Sequence, residues 1–327
     1  MAERRQIYVQ RMAAAGLAPP DAATMHLLWQ IVDEGVLGAS NHVRLTQQLL
    51  THLLQAIADP GEAWTRAAAA AALVAETRGQ EAPVVGNAVH RLLDGLDRLP
   101  AQERSSALAS RIDRWRAESD DRTERLVAAA VAAIGPGRTV IAYDYSSTVA
   151  AIVTRLARAA PPASVIVPES RAIAGGRRYL EALAPVGVAV RFVLDAAFEH
   201  ILCDGALVLL GAESVRCDGS LTNTIGSRPL ARLAQWRGCE VYGCADLLKL
   251  DLRSYRGQFA VPALRRFDHL LQGIELPPGA TVSTTGPELE VVPPSLITAF
   301  LTEHGLVPPA AIWQLGRETF GLHEASR

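Results

Sequence analysis

From Ala22 to about Ala133 the apolar residues recur at the i, i+3, i+4 spacing of a helix face. Residues 43–57 (VRLTQQLLTHLLQAI) and 63–77 (AWTRAAAAAALVAET) show it most plainly and are rich in helix formers. Asp59-Pro60-Gly61, the stretch Gly79 to Pro83, and Pro100 interrupt the pattern and divide the region into several helices. The mixed charges of 111–125 (RIDRWRAESDDRTER) read as a solvated helix face. After Gly135-Pro136-Gly137 the period changes. Residues 139–145 (TVIAYDY), 164–170 (SVIVPES), 189–194 (AVRFVL), 205–213 (GALVLLGAE) and 239–245 (CEVYGCA) are short, apolar, β-branched runs with helical patterns between most of them. Strands buried on both faces and alternating with helices predict a parallel sheet in a doubly wound α/β domain. The expected organisation is a helical domain over 1–134 and an α/β domain over 135–327.

Such sheets bind ligands outside the carboxyl ends of their strands. The strand ends predicted here carry Asp144, Glu169 to Arg171, Asp195, Glu213 and Asp246, a rim lined by carboxylates. The stretch around Asp144, a strand running into Tyr143-Asp144-Tyr145-Ser146-Ser147 and then a helix, is where this class of fold puts its chemistry.

Composition narrows the partners. With 49% hydrophobic and 20% charged residues among 327, the chain is a folded protein with a sizeable core. A formal charge of −2 gives no electrostatic pull toward DNA, RNA or an anionic membrane, and no basic stripe or aromatic platform points to direct nucleic-acid binding. No apolar run approaches the ~20 residues of a membrane span, and no apolar run follows the basic N-terminal residues as in a signal peptide. Cys203, Cys217, Cys239 and Cys244 form no CxxC pair, and read as reduced thiols of a cytoplasmic protein. Of 32 basic residues only Lys249 is a lysine, a compact, pKa-adjustable ammonium in a chain that otherwise uses arginine.

Several sites are excluded by spacing. No GxGxxG follows a strand, no GxxxxGK[ST] exists, and Gly211-Ala212-Glu213-Ser214 has its serine one place late for a GxSxG elbow. His200 and Cys203 lack a second zinc-type pair, so neither metal nor cofactor is expected.

Four stretches of the C-terminal half, 167–183 (VPESRAIAGGRRYLEAL), 211–227 (GAESVRCDGSLTNTIGS), 245–251 (ADLLKLD) and 291–312 (VVPPSLITAFLTEHGLVPPAAI), together resemble one superfamily. It joins the regulatory alpha, beta and delta subunits of eukaryotic initiation factor 2B to ribose-1,5-bisphosphate isomerase and methylthioribose-1-phosphate isomerase. Residues 37–40 (LGAS) and 76–93 (ETRGQEAPVVGNAVHRLL) agree more loosely. The resemblance implies a helical N-terminal domain on a Rossmann-like domain, a homodimer or higher homo-oligomer, and a phosphorylated sugar or nucleotide as ligand.

In the isomerases of that superfamily a cysteine in a Thr-His-Cys-Asn turn and an aspartate in Gly-Ala-Asp act as an acid–base pair. Here Asp144 stands at the cysteine position and Glu213 at the aspartate position. The lysine of Asn-Lys-Ile-Gly-Thr is replaced, because the chain reads Asn223-Thr224-Ile225-Gly226-Ser227. The resemblance assigns phosphate contacts to Arg78, Arg171 and the small-residue turn Gly38-Ala39, a sugar hydroxyl to Asn223, and a family lysine position to Lys249. Leu37 stands where one isomerase branch has an arginine.

Two carboxyls can share aldose–ketose acid–base work if repulsion and burial drive their pKa values apart. Asp144 and Glu213 are therefore the expected catalytic pair. The alternative for Asp144 is a cap on the helix beginning near Ser146, with Tyr143 and Tyr145 as packing. For Glu213 it is a part in the turn at Asp218-Gly219, and for the two arginines a helix-end or interdomain ion pair. Three functions stay open: an enzyme on a small phosphorylated sugar, a regulatory protein that keeps the pocket without catalysis, and an oligomerising partner protein with no small ligand.

Overall fold

The computed structural model describes residues 2–33, 38–259 and 264–320. The helical region contains α1 (Ala2–Ala14), α2 (Ala22–Val32), α3 (Ala39–Ala56), α4 (Pro60–Glu76), the single turn α5 (Arg78–Glu81), α6 (Pro83–Leu93) and the long α7 (Ala101–Ile134). The breakers act where the pattern placed them. Asp59 caps α4 by accepting from Glu62 N–H at 2.7 Å, with Pro60 in the first turn, where its missing N–H costs nothing. Pro83 opens α6, and α7 begins just after Pro100. The helix α1 precedes the region in which the pattern showed helices.

The second region alternates strands and helices: β1 (Thr139–Tyr143), α8 (Ser147–Ala159), β2 (Ser164–Pro168), α9 (Gly175–Leu183), β3 (Val190–Val193), α10 (Phe198–Ile201) and β4 (Leu207–Leu210). It continues with β5 (Ser214–Arg216), β6 (Leu221–Thr224), α11 (Ser227–Trp236), β7 (Glu240–Cys244) and β8 (Leu250–Asp251). The last elements are β9 (Leu264–Arg266), β10 (Thr285–Pro287), β11 (Leu289–Val292), β12 (Ala299–Thr302), β13 (Gly305–Val307) and α12 (Ile312–Phe320). The main sheet runs β13-β12-β7-β4-β1-β2-β3, parallel except for β13. From β1 the chain winds outward through β2 to β3; from β4 it winds the other way through β7 to β12. The topological switch point lies between β1 and β4, the ligand crevice of a doubly wound sheet.

By contacts the chain forms two compact units: Met1–Glu124 with Leu248–Leu252, and Arg125–Leu247 with Arg253–Arg327. The core of the second is built from the inward faces of β1, β2, β4, β7 and β12 together with Val149, Ile152, Val153 and Leu156 of α8 and Tyr179 and Leu183 of α9. The 189–194 run departs from expectation. It is the edge strand β3, with Arg191 and Phe192 exposed, because among the described residues nothing pairs beyond it and its apolar run is interrupted by a charge. The strands β5, β6 and β9 to β13 were not legible, being three or four residues long and mostly lacking a clean alternation.

Candidate functional site

Asp144 is the first residue past β1, at the switch point. It is buried, 5% exposed, and takes a left-handed backbone conformation, φ 54°. Its Oδ1 accepts from Ser170 Oγ at 2.9 Å and its Oδ2 from Thr224 Oγ1 at 2.6 Å. The expected capping role belongs to a neighbour: Ser146 caps α8 by accepting from Val149 N–H at 3.3 Å. Tyr143 does more than pack. Its phenol donates to Ile225 O at 2.7 Å, and a Cβ on Gly226 would stand 1.9 Å from that phenol oxygen, which ties the end of β1 to the turn after β6.

Among the described residues, three non-glycine residues have positive φ: Asp144, Ser170 (φ 49°) and Ala174 (φ 52°). All three surround one carboxyl group. Ser170 supplies its hydroxyl, and Ala174 delivers the chain to Gly175, where a Cβ would lie 1.9 Å from Asp144 Oδ1. Conformations of this kind cost about 1–3 kcal/mol each and cluster where function demands them. The Ser170 turn is held from below by Asp195, at the end of β3, whose two carboxyl oxygens accept from Ser170 N–H and Arg171 N–H, both at 2.8 Å.

Burial pushes the Asp144 carboxyl above the usual aspartate range. The Thr224 and Ser170 hydroxyls, the Tyr145 N–H and the positive charge of Arg178 oppose that shift without reversing it. Burial likewise raises the phenols of Tyr143 and Tyr179.

Past β4, Gly211 runs so close to α8 that a Cβ there would meet Ser146 Cβ at 2.5 Å, which brings the two switch-point turns into contact. Glu213 follows, half-buried, and its N–H donates to Thr222 O at 2.9 Å while Ser214 pairs with Thr222. Two residues of one strand thus meet one of the other, a bulge-like step of the kind that re-aims side chains beside functional sites. Asn223 is buried on β6 and donates through Nδ2 to Ser227 Oγ at 3.0 Å, and Ser227 Oγ donates to Thr224 O at 2.7 Å. Glu290 on β11 closes this end: its Oε1 accepts from Gly226 N–H at 2.6 Å and Arg228 N–H at 2.9 Å, satisfying the start of α11. Arg171 lies on the same rim with its side chain 62% exposed, 3.7 Å from Glu169; its carbonyl oxygen lies 3.0 Å from His269 Nε2. Asp144, Ser170, Arg171 and Asp195 are therefore one hydrogen-bonded group, joined through Thr224 to the strand that carries Asn223. Thr224 and Ser170 were not singled out as site residues from the sequence; only their contact with Asp144 marks them.

The other expected ligands belong to the helical unit. Gly38, φ 100°, precedes α3, Ala39 begins that helix and is buried, and no side chain caps its N-terminus. Leu37 lies outside the described residues. Arg78 is buried, its Nε donating to His42 Nδ1 at 2.8 Å and its Nη1 lying 3.2 Å from Glu81, which also pairs with Arg4 at 2.9 Å. An ion pair at a helix end, one alternative for Arg78, is thus present. Lys249 is buried in a segment whose flanking carbonyls, Leu248 O and Leu250 O, accept from Asn87 Nδ2 at 2.8 and 2.9 Å.

Among the described residues no group of His, Cys, Asp and Glu is arranged to hold a metal ion, and no helix is long and apolar enough to cross a membrane. The fold defines a class: a helical region followed by a mostly parallel Rossmann-like sheet, with a buried carboxyl at the end of its first strand. Within that class, the model of the Initiation factor 2 subunit family matches residues 36–309, and the chain belongs to this family. Ribose 1,5-bisphosphate isomerase of Haloterrigena turkmenica is 28% identical over 263 residues, 77% of this chain and 80% of that protein. The enzyme of the same name from Haloferax volcanii is 30% identical over 185 residues, a match spanning 57% of each chain. The fold is shared with 5-methylthioribose 1-phosphate isomerase of Pyrococcus horikoshii, at a TM-score of 0.73 and 18% identity, covering 92% of this chain and 88% of that one.

Proposed function

We propose that this protein binds a small phosphorylated sugar or related metabolite and moves a proton on it by carboxylate acid–base chemistry. Asp144 acts as the acid and Glu213 as the base. The observation that carries this reading is Asp144 itself: a carboxyl group at the switch point, buried, raised toward its protonated form, and held by strained backbone. A carboxyl whose burial favours the protonated form suits a general acid. Glu213, half-buried past the end of β4, is assigned the base. Arg171 and Asn223 are proposed as phosphate and sugar-hydroxyl contacts. On the family resemblance alone the proposal extends to Gly38, Ala39 and Arg78 as further phosphate contacts, and to Lys249 as a substrate-binding residue. The reaction needs no metal or organic cofactor. The same reading places a homodimer or higher homo-oligomer in the cytoplasm.

One observation favours a second reading, a regulatory member of the family that binds such a ligand without turning it over. Both Asp144 oxygens already have hydroxyl partners, an arrangement that is also complete as structure.

A thermal-shift screen with pentose and hexose 1-phosphates, bisphosphates, methylthioribose 1-phosphate and nucleoside monophosphates tests both. A ligand at ~100 times its Kd adds about 2.7 kcal/mol, a shift of several degrees. The expected result is a selective shift that Arg171→Ala abolishes without moving the ligand-free melt, and turnover of that compound that Asp144→Asn abolishes. Binding without turnover would leave the regulatory reading standing. No shift with any of these compounds would refute both.

A further inference from the structure

The helix α9 begins against the Asp144 carboxyl. A Cβ at Gly175, its first residue, would collide with Asp144 Oδ1, and the left-handed Ala174 (φ 52°) turns the chain into that contact. Residues three apart share a helix face, and a helical side chain leans back over the turn N-terminal to it. The face that Gly175 leaves bare beside Asp144 is therefore the one over which Arg178 reaches. We infer that Arg178 is a binding residue that holds the phosphate of the bound metabolite beside Asp144, a role that neither the sequence pattern nor the family resemblance assigns to it. The inference rests on the sugar-phosphate reading above and adds to it a contact on the Asp144 side of the site.

Further observations fix where this guanidinium stands. Its carbon lies 5.9 Å from the centroid of the Tyr145 ring, within cation–π range, and Tyr145 directly follows Asp144. The Tyr145 ring is itself held, 5.3 Å from the ring of buried Tyr179, whose phenol oxygen accepts from Ser146 N–H at 3.2 Å. The positive charge of Arg178 is felt at the Asp144 carboxyl, where it opposes the rise that burial causes. The arginine is nonetheless exposed, and among the described residues no carboxylate pairs with it, so its N–H donors are not committed to a protein anion. Arg171, by contrast, lies 3.7 Å from Glu169. A guanidinium seated on an aromatic ring loses less freedom when it binds, and its fork of donors matches two oxygens of one phosphate.

Arg177 gives the contrast on the same turn. It is exposed as well and carries the same charge, but its place two residues after Gly175 puts it on another face of α9 from the one that meets Asp144. Position, and not charge alone, is what brings Arg178 to the site.

The test uses the full chain, with ribose 1-phosphate and inorganic phosphate as probes, ribose as the uncharged control, and calorimetry or phosphorus NMR at low salt to read Kd. Arg178→Met keeps a stem to pack on Tyr145 and removes the charge, Arg178→Lys keeps the charge without the fork, and Arg177→Met removes the neighbouring charge. Arg178→Met is expected to raise the Kd of ribose 1-phosphate about 10-fold or more, the range of a lost hydrogen bond to a charged group. Arg178→Lys should recover part of that loss, and Arg177→Met should change Kd less than about twofold, as expected of an exposed charge that makes no contact. Equal weakening by Arg177→Met and Arg178→Met would reduce the effect to general attraction and overturn the contact. An unchanged Kd in Arg178→Met, whatever its melting temperature, would leave only packing on Tyr145 and overturn it too. Arginine-selective modification of the wild type by phenylglyoxal, mapped by peptide mass, needs no variant to fold: phosphate should protect Arg178 more than Arg177, and equal labelling of Arg178 with and without phosphate would overturn the inference. Weakening by Arg171→Ala but not by Arg178→Met would overturn it while keeping the phosphate site. A wild type that binds neither probe at millimolar concentration would also overturn it, and the wider screen above then decides the reading on which it rests.

Discussion

Replacing Asp144 by asparagine removes a titrating proton while keeping nearly the same shape, and the structure sets the sign of the result. In the unfolded chain the carboxyl ionises near ~3.9. In the fold, burial raises it, against the Thr224 and Ser170 hydroxyls, the Tyr145 N–H and Arg178. The folded state therefore binds this proton more tightly than the unfolded state. The stabilisation it confers is complete below ~3.9 and is lost as pH rises through the folded value, with a slope of at most about 1.4 kcal/mol per pH unit per proton. Asparagine has no proton to lose. Its amide accepts one hydroxyl but must donate to the other, a pH-independent offset of about 1 kcal/mol. Denaturant melts of both proteins at half-unit steps from pH 3.5 to 8 give the difference in unfolding free energy directly. Carboxyls held below the usual range, such as Glu81 and Glu240, titrate alike in both proteins and cancel. Wild type minus variant should fall with pH and then level off. A flat difference would mean that Asp144 ionises alike folded and unfolded. A rising one would mean its hydrogen bonds outweigh burial, and either would remove the basis for a protonated acid.

Gly175→Ala should run against helix propensity. Alanine within a helix ordinarily gains up to about 1 kcal/mol over glycine, but here its Cβ would stand 1.9 Å from Asp144 Oδ1 and 3.0 Å from Tyr145 N, so a net loss of about 1–3 kcal/mol is expected. The loss should shrink in an Asp144→Ala background, and a melt at or above wild type would contradict the packing described. Glu290→Ala strips the acceptor from two N–H groups at the start of α11 and should cost about 0.5–2 kcal/mol, with Glu290→Gln losing less. Equal denaturant midpoints for Glu290→Ala and wild type would refute that capping role.

Much of the site was legible because carboxylates after apolar strands are conspicuous. Asp144, Glu213 and Asp195 were read as strand ends, and the structure puts Asp144 directly after β1 and Asp195 two residues after β3. What was not legible is what touches them. Ser170 comes from the turn after β2 and Thr224 from the end of β6, and nothing in a serine before an arginine or a threonine after an asparagine announces a carboxylate partner. Asp144 itself invited a capping role that the structure gives to Ser146, since both residues suit a helix start and only the backbone turn separates them. The exposed 189–194 strand shows the same limit: apolar composition marks a strand, but pairing decides whether it is central or at an edge.

By itself the sequence determined the local periods, hence the helices from Ala22 to Ile134, the central strands and their order along the chain, because side-chain alternation and helix breakers are properties of neighbouring residues. Tertiary structure alone decided the strand order that creates a switch point between β1 and β4. It also decided the glycine at 175 that admits the carboxyl, and the meeting of Asp144 with hydroxyls 26 and 80 residues away. The physical reason is range. Periodicity records which face of an element is buried, whereas the ionisation of a buried carboxyl depends on donors and desolvation supplied by elements the chain reaches only after it has folded.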